Sequence, residues 1–174
     1  MPPPLRRLLF GPDDDGRVPA TYALLDAAKA VNLAEAIESS GLEHACLFDG
    51  AARDDLATVA PWLVRLEEGA ALTRHLFTRD PARPAPWHLW DRRPGILLRS
   101  ARALPALRAH FRRFVRVRDP RGAWFYFRFW DPEVFAGLPE AMDPPDMAAL
   151  MEGLDAVIVP RDGRALVIAP TSRP

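Results

Sequence analysis

Arginine and aromatic side chains are the residues here whose types and spacing point to chemistry. Arg99, Arg102, Arg108, Arg112, Arg113, Arg116, Arg118, Arg121 and Arg128 fall in one third of the chain, around Trp124 and Tyr126. A guanidinium beside aromatic rings can stack unpaired nucleic-acid bases. It can equally engage acidic or carbonyl-rich segments of a protein, or sit on a solvated helix face balanced by acids elsewhere. The densest stretch is GAWFYFRFWDPE, Gly122 to Glu133. Strand side chains alternate between faces, so a strand over Trp124–Trp130 sends Phe125, Phe127 and Phe129 one way. Trp124, Tyr126, Arg128 and Trp130 then point the other way. The all-Phe face reads as core. The second face, rings with hydrogen-bonding tips around a guanidinium, reads as interface anchors. Asp131 is placed to cap the helix that Pro132 opens, and Glu133 adds charge where the helix dipole favours it.

Other constellations are weaker. His44 and Cys46 share a strand face, as a thiol nucleophile and base would, but a small apolar-flanked thiol more often belongs to a core. The four histidines (His44, His75, His88, His110) lack metal-ligand spacing, and no Cys-x-x-Cys or His-Glu-x-x-His occurs. The four serines lie outside any nucleophile elbow. Leu24-Leu25-Asp26-Ala27-Ala28 stands where a dinucleotide-binding turn would need glycines. Asp13-Asp14-Asp15-Gly16 lacks the alternation and distant glutamate of a calcium loop. We expect no catalytic centre, no metal and no cofactor.

These residues need elements to position them. A chain of 174 residues suits one domain, and 49% hydrophobic residues suit a globular core. With 23 basic against 23 acidic residues, no overall field draws the protein to nucleic acid or an anionic membrane. The basic residues are arginines except for Lys29. The lone Cys46 excludes an intrachain disulfide framework. The opening MPPPLRRLLFG sets two arginines before three apolar residues, far short of the ~7–15 that a signal peptide carries. A cytoplasmic setting is the expectation.

Residues 1–19, rich in Pro, Asp and Gly, read as a flexible tail, residues 20–170 as the domain and 171–174 as a short tail. The domain opens with strand Tyr22–Leu25, and Asp26 stands as a cap before Ala30, Leu33, Ala34 and Ile37 at helical spacing, closed by Gly41. Strand His44–Phe48 follows, which suggests a βαβ unit with parallel neighbours. Leu56–Leu66 reads as a central strand that Pro61 bulges, kinks or confines to an edge. Gly69–Thr78 is weakly helical, and Arg79–Pro94 reads as a loop packed down by Trp87 and Trp90. Next come strand Gly95–Arg99 and a helix with Leu104, Leu107, Phe111 and Phe114 on one side. A hairpin joins Val115–Arg118 to the aromatic strand through Asp119-Pro120-Arg121-Gly122. Helices start at Asp131-Pro132 and Asp143-Pro144. Ala156–Val159 and Ala165–Ile168 form a second hairpin across Asp162-Gly163. The class is α/β in the mixed α+β sense: a single domain with a mixed sheet, flanking helices and C-terminal hairpins.

Several segments, in order, resemble the adaptor-chaperone family of bacterial type VI secretion, which loads toxic effectors onto the VgrG spike. They are Tyr22 to Ala27 (Tyr-Ala-Leu-Leu-Asp-Ala), Leu47-Phe48-Asp49-Gly50, Ala60-Pro61-Trp62-Leu63-Val64, the basic His110 to Arg113, and Phe127-Arg128-Phe129-Trp130-Asp131-Pro132. The resemblance spans about Thr21 to Ile168. It implies a non-enzymatic cytoplasmic adaptor whose partners are an effector and a VgrG-type spike, without nucleic acid or membrane. On that reading Trp124, Tyr126, Arg128, Trp130, Arg112 and Arg113 contact the partner, while Asp131, Pro132, Asp26 and Pro61 hold the motifs in place. An open sheet edge could add a partner strand. The competing readings are a small enzyme with an unrecognised site and a single-stranded nucleic-acid binder.

Overall fold

The computed structural model describes residues 1–119, 121–161 and 164–170. The chain runs α1 (Pro3–Phe10), β1 (Ala20–Asp26), α2 (Leu33–Glu38), β2 (His44–Cys46), α3 (Ala51–Leu56), β3 (Pro61–Leu66), α4 (Ala71–Leu76) and β4 (Gly95–Ser100). It continues through α5 (Leu104–Arg112), β5 (Arg116–Arg118), β6 (Trp124–Tyr126), α6 (Pro132–Ala141), α7 (Pro144–Leu150), β7 (Ala156–Arg161) and β8 (Arg164–Ile168). Six strands form one sheet in the order β2-β3-β1-β4-β7-β8, and β5 and β6 form a separate ribbon. The mixed α+β class expected from the sequence holds.

Helices cover both faces of the large sheet, so its central strands read as nearly unbroken apolar runs. Alternation in β1 divides the core. Ala23 and Leu25 join Trp62, Val64, Leu97 and Ile158 beneath α1, α2 and α4. Tyr22 and Leu24 join Leu63, Ile96, Leu98 and Val157 beneath α5, α6 and α7. Gly95 is required by close approach, since a β-carbon there would lie 1.9 Å from the Leu24 carbonyl oxygen.

Several expectations are corrected. Among the described residues, every strand pair is antiparallel. β1 and β2 do run the same way, but β3 lies between them, bonded to both, so the supposed βαβ neighbours never touch as a ladder. The Leu56–Leu66 run is not one strand. Its first half is helical, and Pro61 opens β3, a position where its missing N–H costs no interior ladder bond.

The supposed tail also folds. α1 buries Leu9 completely, and the side chain of Arg99, near the end of β4, donates to the carbonyls of Leu8 (2.5 Å) and Gly11 (2.7 Å). It thereby satisfies acceptors that a helix end leaves free. In the acidic run, Asp13 accepts from the Asp15 and Arg17 amides as a turn residue. In the Arg79–Pro94 segment, Leu89 is the buried anchor, Trp90 packs against Phe77, and Trp87 is exposed. Asp143 precedes α7 without a side-chain cap bond. β7 and β8 pair as the expected hairpin, whose Asp162-Gly163 turn lies outside the described residues, as do Pro120 and the 171–174 tail.

Candidate partner-binding site

The aromatic stretch does not form one strand. β6 ends at Tyr126, and the chain turns at Phe129-Trp130 before α6. Strict alternation therefore fails, and burial follows position along the chain. Trp124, Phe125 and Tyr126 are 58%, 54% and 52% exposed, whereas Phe129 and Trp130 are 0% and 3% exposed. Phe125, assigned to the core from its spacing, is on the surface. Trp130, assigned to the partner face, is inside. Phe129 stacks on Phe111 at 5.5 Å between centroids and meets Phe114 and Trp130 edge-on.

Asp26 is the hub beneath this turn. It ends β1 with its carboxylate buried, and it accepts from the Ala28 amide (3.0 Å), the Arg128 guanidinium (2.6 Å) and, more distantly, the Trp130 indole (3.4 Å). Asp26 does act as a cap, but of a short 3-10 turn, Ala27–Lys29, and not of α2, which has Asn32 at its N-cap position; the pair with Arg128 is a second role. Arg128 is thus not wholly a free donor: its side chain is half exposed, but one guanidinium nitrogen, Nη2, is paired with Asp26 inside its own chain. A buried carboxylate needs such partners, since an unpaired one carries a desolvation penalty of several kcal/mol, in round numbers.

Asp131 caps α6 as expected, accepting from the Glu133 amide at 3.0 Å, while Pro132 is buried at the first helical position. Its carboxylate also meets Lys29, the one lysine, at 2.9 Å. Partial burial pushes the Asp131 carboxyl up. The Lys29 hydrogen bond, the Glu133 amide and the positive charges of Lys29 and Arg128 outweigh it and hold the group below the usual carboxylate range.

The other motifs close on the same corner. The Asp26 amide bonds the Pro94 carbonyl, the Ala27 amide bonds the Ala60 carbonyl, and the Leu47 amide bonds the Pro61 carbonyl. From α5, Arg108 donates to the Cys46 carbonyl at 2.8 Å, and Arg112 pairs with Asp49 at 2.8 Å, its positive charge holding that carboxyl low. Arg113 reaches His110 and Glu152. Arg112 and Arg113 therefore each hold an internal partner while staying partly exposed.

What this framework presents is the β5–β6 ribbon. One foot continues from α5, tied through Arg108 and Arg112 to the Leu47–Gly50 segment. The other foot passes through Arg128 to Asp26. Phe48 packs on Tyr126 at 5.4 Å between centroids. Above the feet, Arg116 and Arg118 lie over the Trp124 ring at 4.9 and 5.8 Å. The Gly122 amide bonds the Asp119 carbonyl at 2.9 Å, and Gly122 takes a φ of +89°, which makes glycine the fitting residue there.

Sequence reasoning gave Lys29 and Asp49 no role in this region, and although it counted Arg116 and Arg118 in the arginine cluster and the hairpin, it did not choose as partner contacts Arg116, Val117 and Arg118. The last three had a legible signal, since Arg-Val-Arg faces Trp-Phe-Tyr across a recognisable turn. Lys29 and Asp49 had none, because their partners lie far along the chain. Cys46 is buried beside Trp62 and Val64, burial pushes its thiol up, and His44 turns to the Leu42 carbonyl at 2.7 Å. Among the described residues, no helix is long and apolar enough to cross a membrane.

No curated protein and no solved structure matches the chain. The pattern of one family, described as "Domain of unknown function (DUF4123)", matches residues 21–149, about three quarters of the sequence, from the start of β1 into α7. All five motifs that build the base of the ribbon fall within that span, and the chain belongs to this DUF4123 family, which is associated with type VI secretion effector adaptors.

Proposed function

We propose that this protein is a non-enzymatic adaptor that holds a type VI secretion effector, its VgrG-type spike, or both, in the cytoplasm before assembly. The observation that carries the reading is the exposed Trp124-Phe125-Tyr126 ribbon on a motif-built base. Three adjacent aromatic residues more than half exposed are unusual on a surface that binds nothing, and aromatic and arginine side chains dominate binding hot spots. Trp124 and Tyr126 keep their assigned role as anchors, joined by Phe125. Arg128, Asp26, Asp131, Pro132 and Pro61 act as its foundation. Arg112 and Arg113 line the foot of α5, and Trp130 supports the ribbon from inside.

The test is a binding measurement with purified spike and effector proteins of the same secretion system. At least one is expected to bind with a Kd of roughly micromolar or tighter, about −8 kcal/mol. Trp124→Ala with Tyr126→Ala is expected to cost about 2 kcal/mol or more of that affinity. If neither protein binds while a hydrolase panel finds turnover that a point substitution abolishes, the enzyme reading replaces this one.

A further inference from the structure

We propose that the open edge of β5 accepts a third strand from a protein segment in which acidic and apolar residues alternate. The proposal deepens the adaptor reading and rests on it.

Backbone geometry identifies the edge. The register pairs Arg116 with Tyr126, Val117 with Phe125 and Arg118 with Trp124. The Phe127 amide bonds the Val115 carbonyl (3.0 Å), and the Asp119 amide bonds the Ala123 carbonyl (2.9 Å). Mutually bonded pairs alternate along an antiparallel ladder, so they fall at Val115, Val117 and Asp119. The amides and carbonyls of Arg116 and Arg118 consequently point away from β6, where they meet no backbone partner among the described residues. A two-stranded ribbon is marginal alone, and a third strand is the usual remedy.

Charge identifies the occupant. Arg93, Arg102, Arg108, Arg112 and Arg128 all pair with carboxylates. Arg116, Arg118 and Arg121 have none among the described residues. The one acid of the ribbon, Asp119, has its carboxylate bonded to the Ala123 amide at 2.8 Å. Three arginines against one aspartate leave the ribbon positive on a chain of zero formal net charge. Two arginines on an open edge repel a second copy of the same strand, as edge charges generally do. The same arginines attract a strand with acids opposite Arg116 and Arg118 and an apolar residue opposite Val117. Nucleic acid is the poorer fit, because base stacking needs a bare ring face and two guanidinium groups already lie over Trp124.

The experiment titrates the full chain with labelled synthetic peptides of alternating Glu and Val, with Lys in place of Glu, and with alternate backbone amides of the Glu/Val peptide methylated. Oligothymidylate is the fourth probe. The Glu/Val peptide is expected to bind saturably and to lose affinity about tenfold or more on Arg116→Glu with Arg118→Glu, a reversal that recovers the Lys peptide. Blocking the amides that face β5 is expected to abolish binding. Failure of the Glu/Val peptide to bind, indifference to amide methylation, or tighter binding of oligothymidylate would overturn the proposal. A parallel capture of the purified spike and effector separates the two readings. Capture by the wild type that survives the charge reversal rejects the β5 edge alone, whereas no capture of either protein rejects the adaptor itself.

Discussion

The ribbon Arg116–Tyr126 and the corner Phe127–Asp131 are adjacent in sequence and alike in composition, both mixing aromatic residues with arginine. In the corner each polar group has an internal partner: Arg128 and the Trp130 indole meet Asp26, and Asp131 meets Lys29 and the Glu133 amide. In the ribbon the rings stand in solvent, and Arg116, Arg118 and Arg121 have no carboxylate partner among the described residues. Composition does not separate the two. What separates them is whether distant strands bring complementary groups underneath, and β1 does so for the corner only. Guanidinium groups without an internal carboxylate remain available to acids of another molecule.

The largest contrast should come from two phenylalanines four residues apart. Phe129→Ala empties a fully buried site stacked on Phe111 and is expected to cost about 3–5 kcal/mol of stability. Phe125→Ala, on the exposed ribbon, should stay within about 0.5 kcal/mol of the wild type. Urea melts of both variants measure the difference, and equal losses would erase the distinction between the regions.

A smaller effect tests whether Arg128 belongs to the corner. Arg128→Ala leaves the buried Asp26 carboxylate with the Ala28 amide and a distant indole, for an expected loss of about 1–3 kcal/mol. Asp26→Asn together with Arg128→Ala should recover part of that loss, because the stranded charge is gone. A melt unchanged by Arg128→Ala would return this residue to the partner face.

The smallest effect sharpens the comparison through pH. Asp131→Ala removes an N-cap, at an expected cost of about 0.5–2 kcal/mol at neutral pH. Its folded carboxyl is held low, so its contribution is complete above the unfolded value of about 3.9 and is lost as pH falls through the lower folded value. The gap between wild type and Asp131→Asn melts should therefore narrow in that acidic window. A gap that does not change with pH would mean that the Lys29 pair adds nothing.

Legibility followed the range of the interactions. The Asp131-Pro132 cap, the α5 apolar face, both hairpins and the core strands were readable because each depends on neighbours a few residues away. The β3 insertion between β1 and β2 was not, since periodicity marks a strand without naming its neighbour. α1 was missed because its anchor, Arg99, lies 88 residues beyond Gly11. Trp130 was assigned to the wrong side because strict alternation was carried past Tyr126, where the strand ends and a turn brings successive side chains inward together, whereas Phe125 lies within β6, in a ribbon that stands off the core with both faces exposed.

The sequence by itself determined the repertoire: which segments are apolar enough to enter a core, where Pro, Gly and Asp start and stop elements, and that an aromatic, arginine-rich stretch ends in a capped helix. Those are local consequences of side-chain chemistry and backbone sterics. Only the tertiary structure decided which arginines are committed. Asp26 and Arg128 are separated by 102 positions, and no local rule links them. Their pairing exists because packing β1 against the turn that carries Trp130, and against α6 behind it, buries a carboxylate that must find a cation. The ribbon stays outside that packing, so its guanidinium groups keep no such partner.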